Sequence, residues 1–149
     1  MSNKTTDVGG QSMLNVLFGA TAKYGALTLQ LFTDGTPTLA DADINTTHEL
    51  ATGGGYADKT ITSQSATVSL NGSNIPQAVW GLQTFTFTGA LTNATNKTIK
   101  GYQILTGTTL LFEDLLRDGA DAAITFTPAN NGDILNITPK YVMGNGTPA

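Results

Sequence analysis

Residues 84–116 read TFTFTGALTNATNKTIKGYQILTGTTLLFEDLL, and the fold class follows from them. Thr84 to Thr88 alternates with strict period two, so Phe85 and Phe87 fall on one strand face and the threonines on the other. Gly89 opens a Thr/Asn-rich connection, and Thr98 to Leu105 resumes as β-branched and aromatic chain. Thr106-Gly107-Thr108 makes a short turn before Thr109 to Leu116. The stretch is expected to form three consecutive strands, a meander whose apolar face needs a second layer over it.

Outward from this centre the same rhythm continues. Ala26 to Thr33 places Leu27, Leu29 and Leu31 on one face. Tyr56 to Thr62, Ala66 to Leu70, Ile75 to Gln83, Ala122 to Thr127 and Asp133 to Thr138 are further short runs. Asp34-Gly35-Thr36-Pro37 and Asn71-Gly72-Ser73-Asn74 supply turn chemistry, and Pro128 and Pro139 close the last two runs. About eight short strands at roughly ten-residue spacing predict an all-β fold, a single jelly-roll-like β-sandwich. Met13, Leu14, Leu17 and Phe18 recur at helical spacing, with Ser12 as N-cap, and predict one short N-terminal amphipathic helix. The expected organisation is a flexible arm over residues 1–10, a sandwich domain over 11–143 and a loose tail over 144–149.

A chain of 149 residues is long enough for one domain with a real core. Charged residues make up only 12%, about half the usual share; Thr, Asn, Ser and Gly fill the deficit and give a hydrogen-bonding, weakly charged surface. The net charge is −4 and the lysines are scattered, so no basic stripe follows a phosphate backbone and no nucleic-acid partner is expected. Without cysteine there is no disulfide framework or thiolate site. No run is long and apolar enough for a signal peptide or a membrane span, so a protein made and assembled in the cytoplasm is expected.

Motifs for chemistry are weak. Asp41-x-Asp43-x-Asn45 resembles the opening of a calcium loop, but Thr46 and Thr52 stand where the turn glycine and closing Glu belong. His48, the sole histidine, reads as a surface residue of a polar loop, with no Gly-x-Ser-x-Gly elbow to pair with. Gly53-Gly54-Gly55 reads as a mobile hinge, not a phosphate cradle, because no Lys-Ser/Thr follows. Glu113 and Asp114 are adjacent on a strand and project to opposite faces, the wrong geometry for a glycosidase pair. One of them reads as an edge guard or an interface ion-pair partner for Arg117. Seven Asn-x-Ser/Thr matches, Asn93 among them, are expected by chance in so Asn- and Thr-rich a chain. Trp80, Tyr56, Tyr102 and Phe112 can stack sugars or fill a core, and core is the default. No catalytic residue, metal ligand or cofactor is expected, and the chain reads as a non-enzyme.

Four stretches carry a resemblance: the opening from Met13 through LTLQLFTDGTPT (27–38), GGGYADKTIT (53–62), TFTFTG…TIKGYQIL…TLLFEDLL in the centre, and GDILNITPKY (132–141). Together they resemble small virion proteins of tailed bacteriophages, of the head decoration or cement type. The resemblance implies a structural protein on the capsid exterior, assembling as a homotrimer and binding the major capsid protein, with no membrane partner. Candidate oligomer or capsid interface residues are then Met13, Leu14, Leu17, Phe18, Trp80, Tyr102 and Phe112. A receptor- or glycan-binding tail-fibre module is the alternative.

Overall fold

The computed structural model describes residues 4–5, 9, 25–34, 38–40, 43–62, 66–72, 74–120 and 122–142. The expected helix, with Met13, Leu14, Leu17 and Phe18, and the expected tail lie outside these residues. Within the expected arm, Lys4–Thr5 form a strand and Gly9 is buried.

The described residues form ten strands: β1 (Lys4–Thr5), β2 (Ala26–Phe32), β3 (Lys59–Thr62), β4 (Thr67–Leu70), β5 (Pro76–Val79), β6 (Gln83–Thr88), β7 (Gly101–Thr106), β8 (Thr109–Leu115), β9 (Asn131–Ile137) and β10 (Lys140–Val142). All pairings are antiparallel, in sheets of order β1-β8-β7-β2-β3, β10-β5-β4 and β6-β9. The mostly-β expectation holds. The central meander does not: β7 and β8 form a hairpin, but β6 pairs with β9 in a separate sheet. Period two assigns faces without naming a neighbour, and the connection 89–100 is long enough to leave one sheet for another. Ala122 to Thr127 makes only isolated bridges, Arg117 with Ala123 and Ile99 with Phe126. β9 ends before Pro139 as expected, and a further short strand, β10, begins directly after it.

Register shows why β2, β7 and β8 are central. Directly opposed residues share a face, so Leu29, Ile104 and Phe112 form one row, and Leu31 and Tyr102 join the same side. This side meets Phe85 and Phe87 of β6, Leu135 and Ile137 of β9, and Trp80 in a single core. Trp80 stacks on Phe112 at 5.8 Å between ring centroids, and Tyr141 tilts against the same ring at 5.3 Å. The other side carries Gln30, Gln103 and Glu113 in one row and Phe32 opposite Gly101. It is covered too: Gln103 and Glu113 are completely buried. Strands covered on both faces are expected to read as near-continuous apolar runs, and GYQILT and TLLFEDL do so except at Gln103, Glu113 and Asp114.

The glycine run is built in, not a hinge. Gly53, Gly54 and Gly55 all have positive φ, a region closed to most side chains. Gly53 bridges Leu91, Thr88 N donates to Gly54 O at 2.8 Å, and Tyr56 N donates to Gly53 O at 2.9 Å. A side chain at Gly54 would run into the carbonyls of Gly89 and Ala90.

Candidate functional site

Among the described residues, Asp34 and the segment 43–50 lie over the polar side of the five-stranded sheet. Two local turns shape it. Asp43 N donates to Ala40 O at 3.1 Å while Asp43 Oδ2 accepts from Ala40 N at 2.7 Å. Ile44 N donates to Thr47 Oγ1 and Thr47 N returns to Ile44 O, both at 2.9 Å. Such Asx- and ST-type closures set the chain direction without regular structure. The next residue, His48, then points inward. The segment is tied down by Asn93, whose Nδ2 donates to Leu50 O at 2.7 Å and Thr33 Oγ1 at 3.1 Å, and whose Oδ1 accepts from Thr52 N at 2.8 Å. Asn93 is buried, so its Asn-x-Thr match is not presented for modification.

His48 is not the surface residue its polar surroundings imply; only 2% of its side chain is exposed. Its ring stacks on Phe32 at 4.4 Å. Phe32 has room there because Gly101 lies opposite it, and a side chain at Gly101 would enter the Phe32 ring. His48 Nδ1 bonds Asp34 Oδ2, and Asp34 Oδ1 also accepts from Glu49 N. On the other ring nitrogen, Nε2 lies 3.1 Å from Glu113 Oε2 and 3.8 Å from Asp43 Oδ2. These contacts lack hydrogen-bond alignment. His48 Nε2 and both Glu113 oxygens therefore have no hydrogen-bond partner among the described residues, and neither does Gln103 Oε1, one rung across from Glu113. Gln103 Nε2 is satisfied, donating to Gln30 Oε1 at 2.8 Å and Asn45 O at 3.3 Å.

One imidazole thus meets three carboxylates, those of Asp34, Asp43 and Glu113. Burial alone lowers the His48 pKa, but Glu113 and Asp34 override it and hold the ring up at about 9. Burial pushes Glu113 above the usual carboxylate range against the pull of His48, and Asp43 adds to the rise. The cluster can hold a proton, or a cation, between loop and sheet. Asp43, His48 and Glu113 are the residues able to offer ligand atoms to a metal.

A pH effect follows for the chain kept free of metal by a chelator. A folded His pKa above the unfolded value near ~6.5 contributes stability that is complete below pH ~6.5 and disappears as pH rises through about 9. Urea midpoints measured from pH 6 to 9.5 are expected to fall, with a total loss on the order of 3 kcal/mol. Because the chain has one histidine, a single set of imidazole NMR signals should titrate in the same window.

The remaining residues singled out from sequence are placed as follows. Trp80, Tyr102 and Phe112 are buried in the chain's own core and leave surface contacts to other side chains. Glu113 is no edge guard, since β8 lies between β1 and β7. Asp114 is the ion-pair partner of Arg117, within the chain, at 3.3 Å; burial raises the Asp114 pKa and Arg117 pulls it down. This pair lines an open cleft of about 380 Å³ with Tyr102, Ile124, Asn136 and Lys140. Asp41 lies outside the described residues. The His48 cluster was missed from sequence, although a Gln and a Glu inside two otherwise largely apolar runs are the kind of buried polar residues that require partners.

The fold and the cluster define an antiparallel β protein with a largely buried ionic centre. No family model, curated protein or solved structure matches the chain.

Proposed function

We propose that this chain is a structural assembly protein that binds copies of itself and a shell beneath, of the phage head decoration type its strand and turn patterns resemble. One observation carries the reading. β4 is exposed along its whole length, with Val68 78% and Leu70 61% exposed, and among the described residues it is the edge of the β10-β5-β4 sheet. A bare edge strand bearing apolar side chains is a template for another chain, and a protein that works alone normally blunts it with charge or proline. Thr67-Val68-Ser69-Leu70 has neither.

The occupant we assign to this edge is a second copy of the chain, in a closed trimer; the trimer's underside then meets the major capsid protein on the virion exterior. Several weak contacts made at once give such an assembly its hold. The architecture suited to this is a β-sandwich of the jelly-roll kind, with the five-stranded sheet as one layer and the two smaller sheets as the other. A net charge of −4 disfavours contact with packaged DNA, in keeping with an outer position after assembly in the cytoplasm. A non-catalytic role is supported by the site itself, since Asp43, His48 and Glu113 are all buried and offer a substrate little access. The tail-fibre alternative is less favoured, because Trp80, Tyr102 and Phe112 are buried and Tyr56 is half-buried, which leaves little aromatic face for a sugar.

The test is direct. Purified chain is mixed with undecorated, expanded phage heads and imaged by cryo-electron microscopy. Regular added density on the shell is expected, and it should vanish with Val68→Asp/Leu70→Asp. Bare heads at saturating protein would overturn the reading.

A further inference from the structure

We propose that Asp43, His48 and Glu113 bind one divalent transition-metal ion, through His48 Nε2 and one oxygen from each carboxylate, clamping the loop before β3 onto β8. The three ligand atoms already lie within 4.8 Å of one another, and all three residues are buried. Bond lengths near ~2.0–2.2 Å place adjacent ligand atoms about 3–4 Å apart. The His48–Glu113 separation of 3.1 Å and the His48–Asp43 separation of 3.8 Å fall in that range.

Proximity of acids alone does not make a site; the orphaned atoms do. Glu113 is fully buried, yet neither of its oxygens has a hydrogen-bond partner among the described residues, and His48 Nε2 faces it equally unpartnered. Buried polar atoms in that state are rare and require an explanation. An ion between them satisfies all three at once. Gln103 Oε1, unpartnered on the adjoining strand, is a fourth donor one rung away.

The surroundings match a metal site as well. Asp34 accepts from His48 Nδ1, the carboxylate–histidine arrangement that fixes the ring so that Nε2 faces a metal. Asp43 is oriented by Ala40 N. The negative charge of two carboxylates at the ion is matched by a divalent cation. One imidazole with two carboxylates selects Zn²⁺, Mn²⁺, Co²⁺ or Fe²⁺ over Ca²⁺ and Mg²⁺, which prefer an all-oxygen shell. The ion joins chain segments far apart in sequence, so its role is structural, and loop closure and binding occur together.

The experiment uses the tag-free full-length chain, stripped with chelator and titrated with Zn²⁺ by calorimetry. One equivalent is expected to bind saturably, Tm to rise by about 5 °C with Zn²⁺ at a hundred times Kd, and the single imidazole ¹⁵Nε2 signal to shift. Co²⁺ should give a visible absorption band that Zn²⁺ displaces. Asp43→Asn and Glu113→Gln are expected to lose the bound equivalent, and Asp34→Asn to weaken it about 10–100-fold. Asp133→Asn, in β9 and outside the ligand set, should leave Zn²⁺ uptake unchanged. Failure of the wild-type chain to take up Zn²⁺, Mn²⁺ or Co²⁺ saturably overturns the proposal, whatever the variants do. So does uptake that survives both Asp43→Asn and Glu113→Gln.

Discussion

Phe112→Ala is expected to lower the unfolding free energy by about 3–5 kcal/mol, the range for truncating a fully buried aromatic. Phe112 has no exposed surface, stands in a row with Ile104 and Leu29, and holds Trp80 and Tyr141 against its ring. Nothing nearby can collapse into the gap cheaply, because the strands on both sides are themselves paired. The loss should appear as a lower urea midpoint with an unchanged slope, since the surface exposed on unfolding stays nearly the same. Trp80, the only tryptophan, reports it independently: its emission should move to longer wavelength as water or mobile side chains replace the Phe112 ring. Phe112→Leu, which keeps most of the volume, should cost less than about 1.5 kcal/mol. A loss below 1 kcal/mol for the alanine variant would place Phe112 at a surface, as the sequence-based interface assignment has it, and would contradict the packing described.

The second large effect is at His48. Removing one partner of a buried ion pair costs about 3–5 kcal/mol, because the remaining charge is buried alone. His48→Ala should reach that range at pH 7, leaving Asp34, Asp43 and Glu113 with no cation between them. Two features separate this from simple loss of volume. Acidification should shrink the deficit, because protonating Glu113 removes the charge left stranded. In a double-mutant cycle with Glu113→Gln, the paired loss should fall short of the sum by roughly 0.5–3 kcal/mol. Strict additivity, or a deficit that does not change between pH 7 and pH 4.5, would mean the two side chains do not act together.

Faces were legible in the sequence and neighbours were not. The alternation at Thr84–Thr88 correctly turns Phe85 and Phe87 into the core, but its partner β9 lies at the far end of the chain, where no local signal points. Leu27, Leu29 and Leu31 were readable in the same way. The short strand at Lys140–Val142 was hidden behind Pro139, which reads as a stop although a strand begins directly after it. Asp41 to Leu50 reads as a solvated acidic loop because its composition is polar; among its described residues Ile44, Thr46 and Thr47 are indeed exposed, while Asp43 and His48 turn in against the sheet and are buried. The clue was on the other side of the contact, in Gln103 and Glu113, which interrupt runs otherwise too apolar for a half-exposed strand. Composition describes a segment's own preference, and burial is a property of two segments together.

The edge at β4 was equally silent in sequence, since Thr67–Leu70 has the alternation of an ordinary half-buried strand. Its exposure appears only once β5 is seen to pair with β10 on the other side. That edge is the basis of the functional proposal, and its most direct test is sedimentation velocity of the tag-free chain over a wide concentration range. The account predicts a concentration-dependent boundary moving to the mass of a trimer, and a monomer at every concentration for Val68→Asp/Leu70→Asp with the same circular dichroism as wild type. A wild-type chain that remains monomeric at the highest concentration, or a trimer indifferent to those two substitutions, would contradict it.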